Sequence, residues 1–289
     1  MKKLLVLSLV AAMVVTVMTG CGSASDQNTS AETEAVAEES AATGEEAASA
    51  GEESTDNTEN AADGKTFKIG VIQLVEHAAL DASNEGFVAA LNDAGISYEI
   101  DQQNAQNDQS TCQTIAEKLV NDGNDLILAI ATPAAQAVAG ATSDIPILVT
   151  AVTDPADAGL VEDNSAPGCN VSGTSDLTPV KEQIELLTKL LPEAKTVGIL
   201  YSSAESNSVL QAEMAKEACA DAGLASEVFT VSSSNEIQQV VESMVGKVDV
   251  IYTPTDNTIA AGMATVTMVA NENGLPTICG EEGMVEAGG

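Results

Sequence analysis

Arginine is missing from this sequence, and ten lysines supply all of its permanent positive charge. Against 44 aspartates and glutamates, they leave a formal net charge of −34 at pH 7. This balance excludes a nucleic-acid-binding protein, which needs a basic face, and it disfavours electrostatic docking on anionic lipid. Without a guanidinium, an anionic ligand group would have to be held by lysines, hydroxyls or the backbone N–H groups at helix starts.

Aromatic residues are also scarce, with three phenylalanines, three tyrosines and no tryptophan. A binding site built from stacked aromatic side chains is therefore not expected. The cysteines that follow Cys21 match no zinc or CxxC spacing, and we interpret them as small, buried or half-buried residues that leave a disulfide open. They are Cys112, Cys169, Cys219 and Cys279.

Catalytic motifs are absent as well. The sequence has no GxSxG elbow, no P-loop and no GxGxxG after a strand. His77 is the only histidine, so any Ser/His/Asp or Cys/His arrangement would have to rest on it. One imidazole and scattered carboxylates do not predict a metal site. We expect no catalytic residues, no metal and no cofactor.

The first sixty-four residues are typical of an exported protein. Residues 1–20 read as a signal peptide, with Lys2 and Lys3 before an apolar run that is short for a membrane span. Met18-Thr19-Gly20-Cys21 resembles a lipobox, which predicts lipidation of Cys21. Residues 21–64 consist mainly of small and acidic residues and predict a disordered tether. We therefore expect a protein anchored by lipid to the outer face of the bacterial cytoplasmic membrane.

From Lys65 onward, short apolar runs alternate with amphipathic segments. The pattern predicts strands over 67–73, 96–100, 125–130 and 145–149, and helices over 80–94, 109–121 and 179–191, with a short helix after Pro133. Such a rhythm is typical of a doubly wound parallel α/β sheet.

The rhythm occurs twice. Lys68-Ile-Gly70 is matched by Lys195-Thr-Val-Gly198, Asp125 by Asp249, and Pro146 by Pro276. Three landmarks at nearly one offset predict two related α/β lobes, over 65–174 and 175–289.

Polar loops follow the predicted strands in both halves. In open α/β sheets ligands bind beyond the carboxyl ends of the strands, so two facing lobes would place a site in the cleft between them. The acidic side chains of Asp154, Asp256 and Glu281 could pair with an ammonium, and helix starts could hold a carboxylate. Together they indicate a zwitterion such as an amino acid. The alternative is that residues such as Ser206, Asn207 and Asp256 only cap helices.

Several of these loops resemble a known family. Glu76-His77-Ala-Ala-Leu-Asp81, Ala151-Val-Thr-Asp-Pro155, Thr174-Ser-Asp-Leu-Thr-Pro179 and Pro254-Thr-Asp-Asn257 are similar to segments of ABC transporter substrate-binding proteins of the TrpX type. The resemblance covers 65–289 and implies a type I periplasmic-binding-protein fold that closes around an amino acid, with aromatic ones favoured. It also implies continuation beyond Gly289, so we expect an incomplete second lobe.

Under this resemblance each candidate residue takes a role. The ligand carboxylate would lie near Thr132, Thr153, Asn207 and Ser208. Its ammonium would pair with Asp256, with Glu281 and Asp154 as further acidic candidates, and its side chain would lie near Gln73 and His77. We expect a monomer that delivers its ligand to an ABC permease. A sensor that presents its ligand to a membrane receptor and an exported α/β enzyme are the alternatives.

Overall fold

The computed structural model describes residues 64–289, so the predicted signal peptide, Cys21 and nearly all of the predicted tether lie outside the described residues. The first lobe is a five-stranded parallel sheet in the order β2-β1-β3-β4-β5. Its elements are β1 (Phe67–Gln73), α1 (Ala78–Asp93), β2 (Tyr98–Asn104), α2 (Gln109–Asn121), β3 (Leu126–Ile130), α3 (Thr132–Ala141), β4 (Ile147–Val152) and β5 (Val171–Ser175).

The second lobe repeats this plan with a four-stranded parallel sheet in the order β7-β6-β8-β9. Its elements are α4 (Val180–Leu190), β6 (Thr196–Ser202), α5 (Ser206–Asp221), β7 (Ala225–Val231), a 3-10 turn (Ser234–Glu236), α6 (Ile237–Met244), β8 (Val250–Thr253), α7 (Asn257–Ala261), α8 (Met263–Glu272), β9 (Thr277–Cys279) and α9 (Glu282–Glu286). The predicted α/β class with two parallel-sheet lobes is confirmed.

Sequence periodicity located the central elements better than the edge ones. The predicted bounds of β1 and α2 agree with the structure, and α1 ends near Gly95, whose φ of +65° suits the residue after a helix end. The sequence predicts the second strand over 96–100, whereas β2 spans Tyr98–Asn104. The difference arises because this edge strand is polar and half-exposed and has no continuous apolar run. The short strand β5 was not predicted, since most of its residues are exposed.

The internal repeat extends to individual contacts. The Asp125 carboxylate accepts from the Lys68 N–H at 2.9 Å, and that of Asp249 accepts from the Lys195 N–H at 2.8 Å. Gly70 lies under the Leu119 side chain of α2, and Gly198 lies under Met244 of α6. A Cβ would lie 3.0 Å from Leu119 Cδ2 at Gly70 and 2.5 Å from Met244 Cε at Gly198, so in both lobes a larger residue would displace the side chain of the helix that crosses the first strand.

Separate apolar cores hold the two lobes. The first core fills the space between its sheet and helices, with Leu119, Ile127 and Ile130 fully buried. The second lobe has one cluster on each face of its sheet, one around Val241 and Val266 and the other around α4 and α5. Within residues 64–289, no helix has both the length and the apolar character that a bilayer span requires.

Candidate ligand-binding site

A cavity of about 230 Å³ lies between the lobes, at the carboxyl ends of both sheets. This is the location predicted from the polar loops, because the carboxyl ends of parallel strands carry the loops that face a partner lobe. Its wall consists of His77, Ala79, Leu80, Ser83, Thr150, Ala151, Thr153, Thr174 and Asp176 from the first lobe and its crossover, and of Thr178, Asn207, Thr255, Asp256, Asn257, Ala260 and Glu281 from the second.

Hydrogen bonds join the lobes directly on the side of the cavity away from the crossover. His77 Nε2 lies 3.2 Å from Asn257 Oδ1, and Asn107 Nδ2 donates to Thr258 Oγ1 at 2.9 Å. Gln109 Nε2 donates to the carbonyl of Ala204 at 2.8 Å. Because both lobes wall the cavity and also touch beside it, the protein is in a closed arrangement.

Some of the predicted site residues lie in the cavity wall. They are His77, Thr153, Asn207, Asp256 and Glu281. Thr153 is buried, and its hydroxyl accepts from Gln211 Nε2 at 3.3 Å. Asn207 is 5 % exposed, and its Oδ1 has no hydrogen-bond partner. These two side chains and His77 are placed to touch a ligand.

Asp256 lies in the wall, but its carboxylate is already occupied. Its oxygens accept from the backbone N–H groups of Ser202 at 2.6 Å and Ile259 at 2.7 Å, so it caps α7 and ties that helix to β6. Burial, and then the charge of Glu205, raise the pKa of Asp256. Both oxygens of Asp256 are thus bound within the protein, and this geometry does not favour the ammonium contact predicted for it.

Glu281 and Asp154 are likewise occupied locally. Glu281 accepts from the N–H groups of Gly283 and Met284, and so caps α9. Asp154 lies outside the cavity wall and organises its own loop, accepting from Asn164 Nδ2 at 2.7 Å and from two backbone N–H groups. The Asn164 bond and the backbone bonds lower the pKa of Asp154. The alternative of a purely capping role holds for these two carboxylates.

Three further predicted residues are away from the cavity. Gln73 donates to Asp81 Oδ1 at 2.6 Å inside the first lobe and borders a separate surface groove between α1 and β2. Thr132 is buried in the first turn of α3. Ser208 is fully buried beneath Asn207, which donates to its hydroxyl at 3.3 Å. None of them lines the cavity, so the structure gives their predicted ligand contacts no support.

Asp176 is the acidic residue that the predicted set missed. It lies in the crossover between β5 and α4, in the cavity wall, and its Oδ1 is buried without a partner. Burial raises the pKa of Asp176, while a hydrogen bond from Thr153 opposes that rise. Its segment, Thr174 to Pro179, was among the motifs of the family resemblance, but no pattern in the sequence distinguished Asp176 from the neighbouring acidic residues.

The polar groups of the cavity are complementary to an ammonium and a carboxylate. Asp176 Oδ1 and Asn207 Oδ1 are acceptors without donors, and no lysine lines the cavity. Also in the wall, α1 begins at Ala78 with no side-chain cap, so the N–H groups of Ala79 and Leu80 in its first turn lack intrahelical acceptors. A helix start with free N–H groups favours an anion.

The remaining wall is apolar and contains no aromatic residue. Ala79, Leu80, Ala151 and Ala260 contribute alkyl surface. Ala151 has a φ of +54° next to an irregularity in the pairing of β4 with β5, which bends the strand where it borders the cavity. Strained backbone of this kind persists only where surrounding structure fixes it, and it is often found at binding sites.

The cysteines and carboxylates do not form another site in the described chain. All four described cysteines are free thiols, and burial raises the pKa of both Cys112 and Cys219 to about 11. Cys169 is exposed, contrary to the prediction that all four are at least half-buried. Between residues 64 and 289, no group of three or more histidine, cysteine, aspartate or glutamate side chains is placed to hold a metal ion.

Two α/β lobes with parallel sheets enclose one small cavity, and this arrangement is the type I periplasmic-binding fold. The family model of ABC transporter substrate-binding proteins matches residues 68–289. The chain therefore belongs to the ABC transporter substrate-binding protein family, whose members bind solutes and are not enzymes.

Close relatives include amino-acid-binding proteins. A tyrosine-binding protein of Clostridioides difficile is 42 % identical over 292 residues, covering 99 % of this chain and 77 % of that protein. The crystal structure of an ABC domain from Streptococcus pneumoniae in complex with L-tryptophan is 45 % identical over 78 % of this chain and 77 % of its own, with a TM-score of 0.76.

A third relative shows another arrangement of the lobes. The ligand-free, open structure of a substrate-binding protein with adhesive properties from Clostridium difficile is 49 % identical over 76 % of each chain, yet its TM-score is 0.55. The higher identity but lower structural similarity indicates a difference in how the lobes are arranged rather than in the lobes themselves. The present structure is more similar to the tryptophan complex, with a TM-score of 0.76 against 0.55.

Proposed function

We propose that this protein captures a free aromatic amino acid outside the cell by closure of its lobes and delivers it to the permease of an ABC importer. The observation that carries the proposal is the unpaired Asp176 Oδ1 in a cavity whose wall contains no lysine and no arginine. A buried acceptor without a donor costs free energy unless a ligand supplies one.

The ammonium of the ligand binds between Asp176 and Asn207. An ammonium has three N–H donors, and the unpaired Oδ1 atoms of these residues accept two of them. Thr153, whose hydroxyl accepts from Gln211 Nε2 at 3.3 Å, lies in the same cavity wall as Asp176.

The carboxylate of the ligand binds at the start of α1. The backbone N–H groups of Ala79 and Leu80 are its donors, because His77 does not cap the helix with its side chain. This replaces the predicted seat on Thr132 and Ser208, and it supplies an anion site without arginine.

The side chain of the ligand packs on alkyl surface rather than on aromatic rings. Leu80, Ala151 and Ala260 supply that surface, with His77 at its edge. The cavity volume of about 230 Å³ lies below the range of about 300–1,000 Å³ typical of drug-sized ligands. That size suits one amino acid and excludes a peptide. The tyrosine-binding and tryptophan-bound relatives support an aromatic one.

A thermal-shift screen of residues 64–289 against all amino acids and several sugars tests the ligand class. At about 100 times its dissociation constant, a ligand adds about 2.7 kcal/mol to the free energy of unfolding. For a chain of this size that raises Tm by roughly 5–10 °C. We expect the rise with L-tryptophan, L-tyrosine or L-phenylalanine.

Indole-3-propionate, which lacks the ammonium, is the matched control ligand and should give no shift. A rise with a sugar alone would overturn the ligand class while keeping the fold. A rise with indole-3-propionate equal to that with L-tryptophan would overturn the ammonium contact.

We propose that export and a lipid anchor on Cys21 hold the protein at the outer face of the cytoplasmic membrane. The signal peptide, the lipobox-like Met18-Thr19-Gly20-Cys21 and the acidic tether in the sequence support this. In a bacterial host, the full chain should incorporate labelled fatty acid and partition into detergent, and Cys21→Ser should do neither.

Cys169→Ser is the matched control for the anchor, because Cys169 is an exposed cysteine of the folded part. It should remain lipidated. Equal lipid incorporation by Cys21→Ser and the unaltered chain would contradict the anchor.

A further inference from the structure

Glu205 is a buried carboxylate that touches neither solvent nor the cavity. It is 2 % exposed, at the residue before α5, and it does not cap that helix. Instead it accepts four hydrogen bonds from two consecutive residues at the start of α7. Its Oε2 accepts from the Asn257 N–H at 3.3 Å and from Asn257 Nδ2 at 2.6 Å. Its Oε1 accepts from the Thr258 N–H at 2.9 Å and from the Thr258 hydroxyl at 2.7 Å.

These bonds determine which atoms of the Asn257 and Thr258 side chains donate hydrogen bonds and which remain free to accept them. An ionised carboxylate can only accept, so it draws the amide N–H of Asn257 and the hydroxyl hydrogen of Thr258 toward itself. Asn257 Oδ1 and the free lone pairs of Thr258 Oγ1 are then left as acceptors. Both atoms face the first lobe, since Asn257 Oδ1 lies 3.2 Å from His77 Nε2 and Thr258 Oγ1 lies 2.9 Å from Asn107 Nδ2.

The first lobe supplies hydrogen-bond donors to these acceptors. The Asn107 amide donates, and Asn257 Oδ1 requires the His77 tautomer that carries hydrogen on Nε2. Two hydrogen bonds across the cleft thus run in one direction, from donors on the first lobe to acceptors set by Glu205. We call the group of His77, Asn107, Glu205, Asn257 and Thr258 the interlobe latch.

We propose that Glu205 is a positioning residue for ligand capture, which favours the closed state by orienting Asn257 and Thr258 as acceptors for His77 and Asn107 of the opposite lobe. The inference rests on the proposed function in one respect, that closure of the lobes retains the ligand. It assigns to Glu205 a share of the binding affinity although Glu205 does not touch the ligand.

The neighbouring carboxylate is consistent with this role. Asp256, next to Asn257, is 1 % exposed, and the charge of Glu205 contributes to the raised pKa of Asp256. Glu205 accepts two backbone and two side-chain hydrogen bonds, so both of its oxygens act as acceptors.

Glu205→Gln tests the proposal with little change in volume. The Gln amide must turn its NH₂ toward a backbone N–H of Asn257 or Thr258, so one half of the latch loses its orientation. With L-tryptophan and L-tyrosine as probes, we expect affinity by calorimetry to fall roughly 5- to 100-fold, as for the loss of one or two hydrogen bonds across the cleft.

A double-mutant cycle separates this effect from a general loss of stability. Asn107→Ala should weaken binding in the unaltered protein but much less in the Glu205→Gln background, because the latch is already broken there. Thr258→Val is the second variant, since it keeps the backbone bond to Glu205 and removes only the hydroxyl. It should weaken binding as Asn107→Ala does, and it keeps the test valid if Glu205→Gln does not fold.

The single histidine gives a spectroscopic readout. In protein without a histidine tag, ¹⁵N NMR of ligand-saturated protein should show His77 with hydrogen on Nε2, and Glu205→Gln should lose that tautomer preference. Additive effects in the cycle, together with an unchanged His77 tautomer, would reduce Glu205 to a structural role and overturn the proposal.

Failure of the ligand class can be distinguished from failure of the latch. If the unaltered protein binds neither L-tryptophan nor L-tyrosine, the proposed ligand is overturned. Small-angle scattering of ligand-free protein then tests the latch directly. Glu205→Gln and Asn107→Ala should both be more extended than the unaltered chain, and equal compactness of all three would contradict the latch.

Discussion

Asp176→Asn should remove high-affinity amino-acid binding and leave the folded protein intact. Loss of one partner of a buried charged pair costs about 2–5 kcal/mol. Calorimetry should therefore show affinity for the amino acid weakened by roughly 30-fold or more. The ligand-free protein should unfold at the same temperature or slightly higher, because the variant no longer buries a carboxylate with an unpaired oxygen.

The pH dependence of binding gives the same contact a second signature. Burial raises the pKa of Asp176 in the ligand-free protein, and a bound ammonium would lower it. Because the Asp176 carboxylate is ionised in the complex, affinity for the ligand rises as the pH passes the raised pKa of Asp176 in the free protein. Affinity falls below that pKa, where Asp176 is protonated before the ligand binds. We expect this dependence in the unaltered protein at pH values above the ordinary aspartate pKa. It should be absent from Asp176→Asn.

Asp154→Asn is the matched control, since Asp154 was predicted as an acidic candidate and lies outside the cavity wall. It loosens its own loop, where its carboxylate accepts three hydrogen bonds. Its affinity for the ligand should stay within a few-fold of the unaltered value. Strong loss of affinity in Asp154→Asn but not in Asp176→Asn would reverse our assignment.

Asp256→Ala should have the opposite profile, with a large loss of stability and a small change in affinity. The variant leaves the buried N–H groups of Ser202 and Ile259 without acceptors. Each orphaned group costs about 1–3 kcal/mol. Relief of repulsion with Glu205 offsets part of this cost, which leaves about 2–4 kcal/mol and a fall in Tm of roughly 5–15 °C.

The control for this prediction is an exposed helix cap. Asp108 accepts from the Thr111 N–H at 2.7 Å at the start of α2, away from the cavity. Asp108→Ala should lower Tm much less than Asp256→Ala does, because the capped N–H groups can bind water instead. If Asp256→Ala instead melted like the unaltered protein and lost its ligand, the original assignment of Asp256 to the ammonium would be right.

These two variants illustrate what separates the residues that sequence could assign from those it could not. Asp154, Asp256 and Glu281 all follow strands in polar loops, and from the sequence each could face a ligand or cap a helix. In the structure each accepts from backbone N–H groups two or three residues later. Asp176 has the same chemistry but lies in an extended crossover whose next helix begins only at Val180. No nearby N–H group satisfies it.

The sequence alone determined the parallel α/β class, the repetition of that unit and the family. These follow from local periodicity and from landmarks such as Gly70 with Gly198, because strand burial and helix packing constrain residue types along the chain. It also determined that an anion site has no guanidinium and must use lysines, hydroxyls or backbone N–H groups, since arginine is absent.

Only the tertiary structure decided which polar groups meet. Asp176 and Asn207 belong to different segments, and closure places both in one cavity wall. The same closure brings His77 to Asn257 and Asn107 to Thr258. Whether a polar side chain is free to bind a ligand depends on the hydrogen bonds that it already makes within the protein, and its partners in those bonds are distant in sequence. The sequence therefore indicated which polar residues could form the site, and the packing of the two lobes decided which of them line the cavity.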